Sequence, residues 1–543
     1  MRISAAETIA AAVTCWLAFV VLFGYAFDLV GLGVRPSFIL AASLIGLAAL
    51  LAGLRRRVRL DAADLAAWAG VIAFVLFAVL RLSWPSLVPP GRGPDLTHHL
   101  LLVDYIEQQQ HLVHDRSLDG SMGEMAHYTP GAHLLAVVIG AWAGVDGVRA
   151  FFPLLAICAA LTAGFVFLIA RRMQMPLPYA LAAVILLMLP EQYFHGAFTH
   201  DSFLAQTVST LFAVAAWWAL AAWDEERSTI GAVIISVLFV GVFLTWPIWI
   251  GPLVLVFVSL ALTAALPHLG VGLVPLLVVA AIHIVGRWGW LAMVRASGAV
   301  LEPGVASLGW VLPLLTLAGV FVGARVRRNR VTIVLLLLIV LQAITLFVLA
   351  RAQGASTPYM AFKMVYLAIY PMAALASVAM ASPERAWLTL RREPGESKGE
   401  RVESKGALGW IIAALLMILV ARPALTAPRV VPVVDLDLLE AGKWTRANVG
   451  QTCVDYLVAD AETAYWLHLA VLGNPRASER MIEIDRYEPR AAVGPWITSE
   501  GRSYAVADFR LLPDEVRSRV DVVAQYGSAA VIRRRDATIT GCD

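Results

Sequence analysis

Residues His133 to Gly144 read HLLAVVIGAWAG, an apolar run of about twelve residues, and how this run is counted fixes the orientation of everything after it. A helix needs about 20 apolar residues to cross a hydrocarbon core of about 30 Å. Counted as a span, the run would put Arg171-Arg172 on the wrong face and invert every later connection. The chain is 60% hydrophobic and 15% charged, with a mean hydropathy of +0.75. These values exclude a soluble globular domain and describe a polytopic membrane protein. Four Arg-rich connections order it: Arg55-Arg56-Arg57-Val58-Arg59, Arg171-Arg172, Arg325-Val326-Arg327-Arg328-Asn329-Arg330, and the stretch Arg385 to Lys405. All four fall on the cytoplasmic side when His133 to Gly144 is a short helix at, or dipping into, the outer leaflet.

The fold expected on this basis is mainly α, with about thirteen spans. They lie near 6–27, 36–54, 64–83, 149–170, 178–194, 203–223, 230–246, 248–266, 271–286, 309–324, 331–350, 364–381 and 408–424. The N-terminus is then cytoplasmic, and the first span is retained, because no small-x-small cleavage site follows it. Residues 1–424 form a transmembrane domain with outer loops at 84–147 and 190–202, and the charged stretch Arg391 to Lys405 is a disordered linker. From 425 to 543 short β-branched runs alternate with helical ones at Leu438 to Asn448 and Ala461 to Leu472. That alternation predicts a small extracytoplasmic α/β domain. Four cysteines are too few for a disulfide framework. Cys453 and Cys542 both fall in the outer domain, where a bridge between them is allowed. The net charge of +3 gives no sign of nucleic acid as a partner.

Polar residues gather on the same outer face. Six of the eleven histidines lie between His98 and His133. Asp95 follows the turn Pro89-Pro90-Gly91-Arg92-Gly93-Pro94 and is either a helix cap or a catalytic base beside His98 and His99. An amphipathic juxtamembrane helix is expected over Leu100 to His111. His200 and Asp201 open a later span, again as a cap or as a second functional carboxylate. That carboxylate could anchor substrate or bind a divalent cation such as Mg or Mn. His127-Tyr128-Thr129-Pro130-Gly131-Ala132-His133 breaks the chain before the short helix, whose first N–H groups suit an anion at the membrane surface. Lys363, one of four lysines, either snorkels at the interface or pairs with a lipid phosphate. Trp246, in the turn Leu244-Thr245-Trp246-Pro247, either anchors a helix or stacks on a sugar. Glu302 is a third outer carboxylate.

Asp95 with its following helix, the run Tyr128 to His133, and His200-Asp201 together resemble the GT-C superfamily of polyprenyl-phosphate-dependent glycosyltransferases. The resemblance extends over about residues 64 to 543 and rests on short motifs and on their order along the chain. It implies Asp95 as the catalytic base, Asp201 as a metal or substrate ligand, and Lys363 at the lipid phosphate. It also implies a polyprenyl-phosphate sugar donor, a glycan or glycolipid acceptor, and a bacterial inner membrane. The sequence departs from the pattern by two extra N-terminal spans and by lacking an Asp-x-Asp or Glu-rich loop. The extra spans and the Leu244-Thr245-Trp246 turn are similar to those of actinobacterial arabinofuranosyltransferases. A transporter or flippase, or a glycan polymerase or ligase of another membrane fold, remains the alternative.

Overall fold

The computed structural model describes residues 3–54, 58–90, 94–115, 118, 123–199, 202–264, 266–286, 305–390, 411, 415, 418, 432, 435–449, 454–458, 463, 464, 467, 496 and 502–535. His200, Asp201, Glu302, Cys453, Cys542, the stretch Arg391 to Lys405 and most of the span expected at 408–424 lie outside these residues.

The chain enters through β1 (Ile3–Ser4), which pairs in parallel with β2 (Val58–Arg59). The helices follow in order: α1 (Ala5–Leu29), α2 (Pro36–Leu54), α3 (Ala62–Ser83), α4 (Pro94–Gln109), α5 (Gly131–Ala143), α6 (Gly147–Arg172), α7 (Leu177–Leu186), α8 (Glu191–Thr199), α9 (Leu204–Glu225), α10 (Thr229–Thr245), α11 (Ile250–Ala264), α12 (Pro267–Gly286), α13 (Val311–Gly323), α14 (Arg330–Ala352) and α15 (Tyr359–Leu390). Among the described residues eight helices are long and apolar enough to cross a membrane, and nine crossings result if α7 and α8 are one bent span. Three expected spans are shorter helices, α10 with 17 residues, α11 with 15 and α13 with 13.

Local sequence sets the helix starts. Ser4 and Glu7 form a capping box on α1, with Glu7 N–H donating to Ser4 Oγ at 3.2 Å and Ser4 N–H to Glu7 Oε2 at 2.7 Å. Asp61 caps α3 and Asp146 caps α6 through the third N–H beyond each, at 3.1 and 2.8 Å. Gly144, at φ 71°, ends α5 in the left-handed conformation that glycine adopts without a Cβ clash. Burial then sorts the bundle. The apolar windows of α6 and α9 are 89% and 94% buried, so they form its axis, whereas those of α2 and α12 are 17% buried. On the perimeter, side chains such as Ile45, Leu277 and Phe321 point outward, the arrangement that lipid favours.

The short helix at His133 is an interior element: α5 packs against α1, α2, α4, α6, α9 and α10. Helix α4 starts at Pro94, and Asp95 stands in its first turn. Proline suits a first helical position, since its missing N–H would have no partner there. The segment read as an outer loop from Pro190 to Ser202 contains the nine-residue helix α8, bent by 78° from α7. Pro190 explains the break, because it disfavours helical geometry at the residue before it. In the C-terminal region the strands Tyr504–Asp508 and Val520–Tyr526 were not anticipated.

That region consists of α16 (Leu436–Asn448), β3 (Val454–Leu457), β4 (Tyr504–Asp508), α17 (Asp514–Arg517), β5 (Val520–Tyr526) and β6 (Ala529–Arg534). The four longer strands form one sheet in the order β3-β4-β6-β5, parallel between β3 and β4 and antiparallel elsewhere. Asp435 caps α16 by accepting from Leu438 N–H at 2.8 Å.

Candidate functional site

Helices α4 and α5 meet through two histidines. His99 Nδ1 and His133 Nε2 lie 2.8 Å apart, and both side chains are buried, His133 completely. One proton occupies that contact, so at most one ring is an imidazolium and one nitrogen must accept. Tyr128 meets both rings edge-on, with centroids 5.2 Å from His99 and 5.7 Å from His133. It also packs on Trp246 at 6.0 Å. Thr129 Oγ1 donates to the Thr245 carbonyl at 3.0 Å, which joins the start of α5 to the end of α10. The approach requires glycine at 131. A Cβ there would stand 2.7 Å from the Leu244 carbonyl oxygen and 2.9 Å from Thr245 Cγ2.

A second group surrounds Lys363, one turn into α15 and 2% exposed. Its Nζ lies 3.2 Å from the centroid of Phe203, 5.1 Å from that of Tyr359 and 5.3 Å from that of Tyr366. Ring faces attract an ammonium through their quadrupoles, and desolvation strengthens the effect. The turn after α10 joins the two groups. Trp246 packs on Tyr128, and three residues later Trp249 Nε1 donates to the Lys363 carbonyl at 3.2 Å.

The second half of α4 is held by elements from far along the chain. Arg446 on α16 grips Asp104 through two bonds of 2.9 and 3.0 Å, the forked geometry that guanidinium offers a carboxylate. Lys443 pairs with Asp146, and Arg149 pairs with Glu440. Glu440, Lys443 and Arg446 are three residues apart and share one side of α16. Glu107 Oε2 accepts the Gly147 N–H at 3.1 Å. Burial raises the Glu107 carboxyl above its ordinary range, and the Asp146 and Asp104 carboxylates add to the shift, while the Gly147 N–H opposes it. Beyond α4, the buried Asp28 of α1 accepts from Leu112 N–H and from His114 Nε2, both at 2.8 Å.

The structure thus brings His99, Tyr128, His133 and Trp246 into one cluster and links it to Lys363 through a single turn. His98 is partly exposed beside it, and Asp95 lies one turn before His99 on the same helix. His200 and Asp201 fall outside the described residues, immediately before Ser202 and Phe203. Among the described residues no group of three or more His, Cys, Asp or Glu is placed to hold a metal ion. The expected cation ligand, Asp201, is not among them. Sequence reasoning gave Lys363 aromatic neighbours in the run Tyr359 to Tyr366 and missed Phe203. Tyr359 and Tyr366 stand four before and three after it, positions that share a helix face. Nothing local announces Phe203.

No protein-family model and no curated protein sequence matches the chain. Solved structures with a related course of the backbone include the oligosaccharyltransferase AglB from Archaeoglobus fulgidus, in complex with an inhibitory peptide and a dolichol-phosphate. It is 13% identical, with 87% of this chain and 75% of that one covered at a TM-score of 0.44. ArnT from Cupriavidus metallidurans, bound to undecaprenyl phosphate, is 17% identical, with 86% and 97% covered at a TM-score of 0.40. The Archaeoglobus fulgidus oligosaccharyltransferase in complex with Zn and sulfate is 15% identical, with 81% and 68% covered at a TM-score of 0.36. At these values the functional reading has to rest on this chain's own residues.

Proposed function

We propose that this protein is a membrane glycosyltransferase of the GT-C type. It moves a sugar from a polyprenyl-phosphate donor to a glycan or glycolipid acceptor on the outer face of a bacterial inner membrane. Lys363 carries the reading. A buried ammonium among rings, one turn inside an apolar helix, suits an anion that arrives on a lipid tail. The sugar then lies between that phosphate and the His99, Tyr128 and Trp246 cluster, and Asp95 at the start of α4 takes the acceptor hydroxyl proton. One-step displacement with the base opposite the leaving phosphate inverts the anomeric centre. Donors near the Lys363 end stabilise the phosphate as it departs. The described residues do not form a cation site, and no step of this chemistry is routed through a metal.

Transport fits less well. Transporters place ionisable groups near the bilayer midplane. In the long helices the buried acidic, histidine and lysine side chains among the described residues, Glu7, Asp28, His283 and Lys363, sit within about one turn of a helix end. The test is transfer by the purified protein from a polyprenyl-phosphate sugar, with and without EDTA. Asp95→Asn is expected to insert normally and to lose transfer by about 100-fold or more. Full transfer by that variant would remove Asp95 as the base. Movement of the lipid by the wild type without transfer would favour a flippase.

A further inference from the structure

Besides His133 Nδ1, two buried side-chain polar atoms in the site have no hydrogen-bond partner among the described residues: Trp246 Nε1 and Gln206 Oε1. Their residues are 8% and 5% exposed. Ser209 links their residues: it lies one turn after Gln206 on α9, and its hydroxyl reaches the Trp246 carbonyl at 3.5 Å. Three residues before Gln206, at the cap of α9, is Phe203, which carries the Lys363 ammonium. Trp246 in turn packs on Tyr128 of the histidine cluster. The two residues therefore stand along the run of contacts that joins the Lys363 group to the histidine cluster.

An orphaned polar group buried in an apolar bundle is costly, and an apolar side chain of similar shape would be at least as stable. The chemistry of the two atoms narrows what would satisfy them. An indole N–H only donates, and an amide oxygen only accepts. A phosphate oxygen, an acceptor alone, could serve Trp246 and not Gln206. A hydroxyl serves both, accepting from one and donating to the other. We propose that Trp246 and Gln206 form a hydroxyl-recognising subsite that selects the sugar of the lipid-linked donor, an inference that rests on the transferase reading. Trp246 then acts through its N–H, in addition to any stacking by its ring.

The two atoms make a sharp prediction about selectivity. A site that hydrogen-bonds a hydroxyl rejects an analogue lacking it far more strongly than an apolar pocket rejects a missing methylene. Gln206→Leu keeps the bulk and removes the polar atom, whereas Trp246→Phe removes the N–H together with part of the ring. Gln206→Leu should keep or raise the thermal stability of the full-length protein, which a merely structural role for the amide would not allow.

The experiment compares binding of bare polyprenyl phosphate with binding of polyprenyl phosphate bearing arabinofuranose, glucose or mannose, using purified protein in nanodiscs. In the wild type the preferred sugar-bearing lipid should bind more tightly than the bare lipid. Either substitution should weaken that lipid about tenfold and leave the bare lipid unchanged, and the double variant should lose little more than each single. Lys363→Met should weaken both lipids. Equal weakening of bare and sugar-bearing lipid in Gln206→Leu and Trp246→Phe, or no weakening of either, overturns the subsite and leaves the transferase reading standing. A wild type that binds neither class of lipid overturns both. A fall in thermal stability with unchanged sugar preference would assign the pair to the fold, as sites for a structural water.

Discussion

The two polar ends of the helix bundle are built on opposite principles. At the arginine-rich end, Glu7 accepts from Ser4 N–H at 2.7 Å, from Trp218 Nε1 at 2.9 Å and from Arg172. Arg172 also reaches Glu225 at 3.0 Å, and Arg171 holds Asp64 at 2.8 Å and the Met175 carbonyl at 2.6 Å. These pairs line a cleft of about 660 Å³, and charge there is answered by opposite charge. At the histidine-rich end, a buried ammonium faces three rings, two imidazoles share one proton, and an indole N–H and an amide oxygen lack partners. The contrast teaches that polarity alone does not mark a site. At the arginine-rich end the paired charges tie α1, α3, α6 and α9 together. At the other end the indole N–H and the amide oxygen retain bonding capacity that a ligand can use.

Three experiments would break or sharpen this contrast. Arg172→Met should give the largest effect, since it strands Glu7, whose side chain is 8% exposed, and breaking such a buried pair costs about 3 kcal/mol. Thermal unfolding would register that loss, while transfer per folded molecule and the KM for donor stay unchanged. A changed KM with intact stability would mean that the arginine-rich end also serves the reaction. The clamp on α4 comes next. Asp104→Arg and Arg446→Asp should each destabilise the protein by about 1 kcal/mol, because the pair is forked yet about one-fifth exposed on both sides. The reversed pair together should recover most of the loss. Hydrogen exchange over 94–109 should quicken in the singles and return to normal in the double. Exchange that stays normal in the singles would show that α16 does not hold α4.

The smallest expected effect is at Glu107, whose folded carboxyl titrates above the ordinary glutamate value of about 4.3. The contribution of such a group is fullest below that value and declines as pH rises through the raised folded value. Glu107→Gln keeps an acceptor for the Gly147 N–H and does not titrate. The variant should therefore lose that decline and match or exceed the wild type in melting temperature at neutral pH. A larger pH dependence in the variant than in the wild type would contradict the assignment.

Hydropathy and charge placed most of the helices, because a span's composition is set by the solvent it crosses. The twelve-residue run at His133 is a clear case: its length excluded a span, and α5 is a 13-residue helix. The helix expected over Leu100 to His111 exists but begins earlier, at Pro94. The α16 helix was visible in the same way, although the charge stripe Glu440, Lys443, Arg446 was not matched to its partners. Those partners lie as much as 342 residues away, and no local pattern pairs Asp104 with Arg446.

What the sequence by itself determined is therefore a mainly helical, multi-pass membrane protein in which the histidines, Trp246 and Lys363 gather at one end of the bundle. Both features follow from local composition and from the period of the helix. Only the tertiary structure decided that His99 meets His133, that Phe203 covers Lys363, and that Trp246 Nε1 and Gln206 Oε1 are buried without partners among the described residues. Such contacts depend on which helix faces pack together. The packing of α5 against six other helices sets those faces, and hydropathy carries no record of it.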